Sequence, residues 1–324
     1  MTTLTHDSET AGDVAASRVT AGLAFAVVSA VSFGMSGALA RGLIETGWSA
    51  GAMTLVRVGL AALALTPFGL AALRGRWSLL RRNLVLLLTY GAVAVAGAQF
   101  CYFSAVQHMQ VGPAILIEFT APAAVVVYLW LRHAQRPGRM TLAGAALAAL
   151  GLVLVLDLVS GADLSVLGVL WALGAMVGCA TYFVISADED NGLPPLVLAW
   201  AGLVVGAVVL GVLGIVGVLP MRASTDTPSY ADVEVAWWVP LVALGLVTAA
   251  LSYVAGIAAG RRLGSRLASF VALLEVVASV CWAWLLLDEL PGTVQLLGGL
   301  LILAGVVAVK LGERSVAGPA PVPS

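Results

Sequence analysis

The chain has 324 residues, 61% of them hydrophobic and only 10% charged, with a mean hydropathy of +1.03. A water-soluble domain carries charge on about a quarter of its residues, so most of this surface must face lipid rather than water. The formal net charge of -1 comes without a basic recognition face, which gives a nucleic-acid partner no footing.

In chain order, Met1 to Arg18 is small and polar and predicts a disordered tail. It lacks signal-peptide regions, and the apolar run after it has no small-residue cleavage site, so that run should persist as an anchor. The run, Ala21–Ala40, is 20 residues without a charge, long enough to cross about 30 Å of hydrocarbon as a helix. Comparable spans follow at Gly51–Leu73, Asn83–Ser104, Val111–Leu131, Met140–Leu156 and Val166–Ala187, then at Leu196–Leu219, Val239–Gly260, Leu267–Leu287 and Thr293–Leu311. The closing VAGPAPVPS is Pro-rich and predicts a second disordered tail. Cys101, Cys179 and Cys281 all lie in apolar spans without CxxC spacing and read as small core residues. Neither a disulfide, a metal site nor a cofactor is expected.

Basic residues orient the spans. With the N-terminus inside, the inner loops and tails hold Arg18, Arg74, Arg76, Arg81, Arg82, Arg132, Arg136, Arg139, Arg261, Arg262, Arg266, Lys310 and Arg314, while the outer loops hold only Arg41 and Arg222. Both termini are therefore expected in the cytoplasm.

The chain is duplicated. Pro137-Gly138 recurs as Pro291-Gly292, an offset of 291 − 137 = 154 residues. At that offset Ala124, Val126, Trp130, Leu131, Leu142, Gly144, Leu147, Gly151, Val153 and Val155 meet identical residues. Ten spans split as five plus five, and an odd number per copy makes the second enter the membrane from the opposite side. The matching loops agree: Arg132 to Arg136 is basic, whereas Leu286 to Leu290 carries Asp288 and Glu289. The expected fold is an all-α integral membrane protein of ten transmembrane helices in two inverted five-helix repeats. The expected boundaries are a tail over 1–19, repeats over 20–158 and 164–311, and a tail over 312–324. Gly174/Gly178, Gly202/Gly206 and Gly256/Gly260 are spaced to let helix backbones approach.

Few ionisable side chains lie deep in the spans: Arg57, Glu118 and Glu275, with Asp157 at a span end. A charge at mid-bilayer costs at least about 2.5 kcal/mol, so each should face a cavity or a partner. A carboxylate there is suited to binding a substrate amine or exchanging a proton, and equally to a structural pairing with Arg57. Arg57 could hold a substrate carboxylate, but cross-linking helices through backbone carbonyls suits a single intramembrane arginine better. Ser36, Tyr90, Gln99, Tyr102, Ser104, Tyr182 and Tyr253 could line the same space or serve as interhelical glue. Gln99 and Tyr102 share a helix face, and Tyr102 and Tyr253 occupy similar places in the third span of each copy. Pro122, one turn past Glu118, frees a backbone carbonyl near it and is placed to kink the helix.

These features together resemble the EamA family of the drug/metabolite transporter superfamily, over about residues 20 to 311. The resemblance rests on the duplicated five-helix unit, on LVRVGLAALAL around Arg57, and on Leu273-Leu274-Glu275 through Trp284 to Leu290 and Gly298 to Gly305. The last is similar to the family's LEP…WLLLGE…GxxLIxxGV, with Val276 in place of Pro and Asp288 in place of Gly. Glu118-Phe119-Thr120-Ala121-Pro122, after Val111-Gly112-Pro113-Ala114, is similar to the amino-acid exporter branch, which includes threonine/homoserine exporters. The resemblance implies export of small amphiphilic metabolites, amino acids among them, from a cavity between the repeats by alternating access with proton exchange. Export of drugs or other metabolites fits the same superfamily. No GxxxxGK[ST] motif offers ATP a site, and His6, His108 and His133 form no HExxH or paired set, so an embedded enzyme is the weaker alternative.

Overall fold

The computed structural model describes residues 4–121, 124, 138–155, 165–187, 191–256, 258, 259, 262 and 273–312. Helix α1 (Leu4–Glu45) is followed by α2 (Ala50–Leu73) and the short α3 (Ser78–Arg82). One rod then joins α4 (Leu84–Thr89), a π-helical segment π1 (Tyr90–Gly97) and α5 (Ala98–Val106). Next come α6 (Val111–Glu118), α7 (Arg139–Val155), α8 (Val166–Ala187) and α9 (Pro195–Ile215). A hairpin of β1 (Ser229–Tyr230) and β2 (Val233–Glu234) leads to α10 (Trp238–Val242) and a second π-helical segment, π2 (Ala243–Leu251). The last described helices are α11 (Leu274–Leu287) and α12 (Thr293–Gly312).

Five stretches are each long and apolar enough to cross a membrane: 20–45, 50–73, 84–106, 195–215 and 238–256. Shorter apolar helices at 142–155, 166–182, 274–287 and 293–308 coincide with four more expected spans. The remaining one, Val111–Leu131, is described through Ala121 and at Ala124, while Pro122, Trp130 and the Pro137 hinge lie outside the described residues. Outward faces carry large apolar side chains, from Phe68 at 59% exposed to Ile215 at 88%, a surface that water would not tolerate and lipid would. One expectation needs correcting. The stretch read as a disordered tail is helical from Leu4, because a formed helix extends at little cost through an adjoining segment that contains no proline. The expected C-terminal tail from 313 onward lies outside the described residues.

The two copies pack through their duplicated glycines. A Cβ on Gly151 of α7 would sit 2.5 Å from the carbonyl oxygen of Gly298 in α12, and one on Gly298 would sit 2.6 Å from that of Gly151. Gly305 likewise lies on Gly144, whose carbonyl oxygen is 2.6 Å from the position a Cβ would take. Gly144 and Gly151 are the repeat equivalents of Gly298 and Gly305, so in each pair an early residue meets a late one. The equivalent helices α7 and α12 therefore run antiparallel, with backbones close enough for dispersion to hold them in the absence of any hydrophobic drive. Other contacts come in exchanged pairs: α1 with α11 and α8 with α6, α2 with π2 and α9 with π1. Moving π2 back by 154 residues lays it on 89–97, over π1 at 90–97. Of the glycine pairs expected to pack helices, Gly174 and Gly178 lie on Cys101 and Ala98, and Gly202 and Gly206 on Tyr90 and Val95.

At the end away from the Arg74–Arg82 loop, polar contacts tie the copies together. The Ser49 hydroxyl caps α2 by accepting from the Ala52 N–H at 3.3 Å and donates to the Pro220 carbonyl at 2.6 Å. The hairpin turns through Ala231 and Asp232, both at positive φ, and Tyr230 donates its hydroxyl to the Leu39 carbonyl at 2.7 Å. Glu289, in the loop after α11, accepts the Val111 N–H at 3.2 Å, capping α6 where Gln110 supplies no side-chain cap. Arg41 bonds Glu45 at 3.1 Å and the Val106 carbonyl at 2.7 Å, and lies 3.8 Å from Glu289. Burial holds the Glu289 carboxyl above the ordinary carboxylate value, against the opposing pull of the Val111 N–H and Arg41.

Two outcomes follow from this packing. Gly151→Ala or Gly298→Ala is expected to cost about 1–3 kcal/mol, read as a fall in the melting temperature of the detergent-solubilised protein. Gly59→Ala, where nothing lies within 4 Å, should leave it unchanged. Because folding favours protonated Glu289, its contribution is complete below the ordinary carboxylate value and fades as pH rises through the raised one. Melting temperature against pH should therefore be flatter across that mildly acidic window in Glu289→Gln than in the wild type.

Candidate functional site

Arg57 lies in the first half of α2 and is 4% exposed. A guanidinium cannot shed its proton, so at this depth its charge and its donors must be met by the protein. One Nη donates to the Thr248 carbonyl in π2 at 2.9 Å. In a regular α-helix that carbonyl would accept the Ser252 N–H, which here bonds Ala249 instead. The π register thus turns a backbone acceptor towards the arginine. The guanidinium also stacks over the Phe103 ring, 5.2 Å from its centroid. The hydrogen bond cross-links α2 and π2.

Around it the structure gathers the other candidates. Arg57 is in electrostatic contact with Tyr253, Tyr102, Glu275 and Glu118. Gln99 and Tyr102 share one face of α5, as their spacing predicted, and the Gln99 Oε1 and Tyr102 hydroxyl are buried without a hydrogen-bond partner. Ser279 of α11 is fully buried, and its hydroxyl faces that of Tyr102, yet neither makes a well-directed hydrogen bond. Two glycines of α1 make this closeness possible. A Cβ on Gly37 would strike the Tyr102 hydroxyl, and one on Gly34 would lie 2.8 Å from the Ser279 nitrogen.

The two carboxylates come from helix ends. Regular α-helical bonding in α6 stops at Glu118, and Thr120 tightens the turn by bonding Ile117 through both its N–H at 3.1 Å and its hydroxyl at 2.7 Å. Glu275 sits in the first turn of α11, where the helix dipole favours negative charge. The two acids act on each other electrostatically, and each keeps part of its surface accessible while Arg57 does not. Among the described residues neither forms an ion pair with Arg57.

Tyr253 packs edge-on against Phe33 at 5.4 Å between centroids and lies within electrostatic reach of Tyr182, which stacks at 6.0 Å on Tyr90. At the 154-residue offset Gln99 is the repeat partner of Tyr253, since 253 − 154 = 99, with Tyr102 three residues further along the same face of α5. Tyr182 is peripheral, and Ser36 is buried in α1 without a hydrogen bond to this cluster. Asp157 lies outside the described residues. Sequence reasoning missed Ser279, Thr248 and Phe103. A lone serine in VVASVCWAW was a faint signal, but a backbone carbonyl and an ordinary phenylalanine left none. Among the described residues no His, Cys, Asp and Glu cluster could hold a metal ion.

Arg57→Gln strands the Thr248 carbonyl and leaves the carboxylates without a counter-charge. A loss of about 2–4 kcal/mol is expected, seen as a melting-temperature drop larger than that of Glu118→Gln. Arg57→Lys should recover only part of it, because an ammonium cannot both stack on Phe103 and present the planar donor fork.

The described architecture agrees with what comparison with known proteins returns. No curated protein sequence matches the chain. A crystal structure described only as that of a protein aligns over 91% of this chain and 99% of its own, at 19% identity and a TM-score of 0.59, a likeness of fold. The model of the EamA-like transporter family matches twice, over residues 20–157 and 166–311, one match per copy. The chain belongs to the EamA-like transporter family, multi-pass membrane transporters of small molecules within the drug/metabolite transporter superfamily.

Proposed function

We propose that this protein is a secondary transporter that exports small amphiphilic metabolites, amino acids first among them, across the bacterial inner membrane with its termini in the cytoplasm. The observation that carries the reading is the placing of Glu118 and Glu275. The acids come from opposite copies, at helix ends inside the bundle, with surface left open and the nearby arginine engaged elsewhere. Interrupted helices that meet between two repeats are where transporters of this architecture hold their cargo. A ten-span inverted topology, with antiparallel α7 and α12 at its pseudo-two-fold axis, supplies two related halves that rock about such a site. The basic inner loops support the orientation, and the Glu118-to-Pro122 segment supports the amino-acid exporter branch. Two coupled carboxylates also support proton exchange, since releasing a proton as a cationic amine binds keeps the charge of the cavity constant. Drugs or other metabolites are the alternative cargo.

The test is efflux from cells overproducing wild type beside Glu118→Gln, loaded with a panel of amino acids, with and without a proton gradient. Wild type should export one class and slow when the gradient collapses. Glu118→Gln, present at normal level in the membrane, should lose at least about tenfold in rate. Equal export by both would make Glu118 structural, and export indifferent to the gradient would remove the proton.

A further inference from the structure

Accessibility divides the charged groups around Arg57 unevenly. The positive charge is spent within the protein: Arg57 is 4% exposed, donates to Thr248 and covers the face of Phe103. Both negative charges remain partly accessible. The hydrogen-bonding inventory leans the same way. Among the described residues, the buried unsatisfied groups besides Arg57 are the Gln99 Oε1, which only accepts, and the hydroxyls of Tyr102 and Ser279, which can accept as well as donate. The unsatisfied donor that cannot accept is the Arg57 Nε, buried with the rest of its guanidinium. A ligand ammonium therefore finds carboxylates and neutral acceptors ready to receive its N–H groups. A ligand carboxylate beside these acids finds the nearby Arg57 buried and already engaged, and any ionised carboxylate there repels it.

Resting on the transporter reading above, we propose that the cavity selects organic cations: amines of net positive charge, held through Glu118, Glu275 and Gln99, in preference to the zwitterion or anion of the same carbon skeleton. Amino acids whose carboxyl is blocked, or whose side chain adds a positive charge, fall inside this class. Neutral zwitterions bind more weakly because nothing pairs with their carboxylate. Ser279 and Tyr102 set the polar edge of the pocket, and Gly34 and Gly37 bring them together.

The test is direct binding to the full-length, detergent-solubilised protein by titration calorimetry at neutral pH, using two matched series. One is phenethylamine, phenylalanine and phenylpropionate; the other is butylamine, norvaline and valerate. In at least one series the amine should bind about tenfold or more tightly than the zwitterion, and the carboxylate should not bind. Glu118→Gln and Glu275→Gln should each erase most of that preference, which separates it from partition of amines into detergent. Zwitterions or anions binding as tightly as amines would overturn the proposal, as would an amine preference unchanged in both variants or no binding in either series. The amine preference without efflux from cells would sink the transporter reading and leave this one standing. Efflux of zwitterionic amino acids without the preference would do the reverse.

Discussion

A guanidinium at membrane depth imposes the constraint on which this structure depends. Arg57 keeps its charge under any physiological condition, so the protein must supply acceptors, a polarisable face and counter-charge from several directions at once. The Thr248 carbonyl, the Phe103 ring and the two carboxylates answer that demand, and they come from α5, α6, π2 and α11. Satisfying one side chain thus draws helices of both copies to a single point. The irregular backbone follows from the same need, since π2 departs from α-helical bonding where it must offer a carbonyl sideways.

The scaffold is close to symmetric, and its centre is not. Duplicated glycines pair α7 with α12, both copies carry a π-helical segment at the same place, and inter-copy contacts recur in exchanged pairs. In the middle, Gln99 stands opposite Tyr253, and α9 carries no basic residue to answer Arg57 in α2. A lipid-facing shell needs only apolar side chains and close-fitting backbones, which a duplicated segment supplies twice over. A cavity that distinguishes ligands needs particular groups at particular places, and there the copies have diverged.

Much of this was readable from the residues. The Pro-Gly offset, the span lengths and the charge swap between Arg132–Arg136 and Leu286–Leu290 are one-dimensional signals, because hydrocarbon thickness and loop charge act on local sequence. Arg57, Glu118 and Glu275 stood out for the same reason, as ionisable groups are rare in apolar spans. The helical run from Leu4 ran against composition: a small, polar stretch is read as disordered until a neighbouring helix extends through it.

The sequence by itself determined the solvent this protein lives in, its duplication, and the short roster of charged residues that had to be explained. The tertiary structure alone decided which of them lie close together. It buried Arg57 against a carbonyl freed by a π turn, left the carboxylates open, and set an unremarked Ser279 beside Tyr102 through the gaps at Gly34 and Gly37. Backbone carbonyls and missing side chains carry no letter of their own, so close approach of this kind becomes visible only when distant helices are brought together.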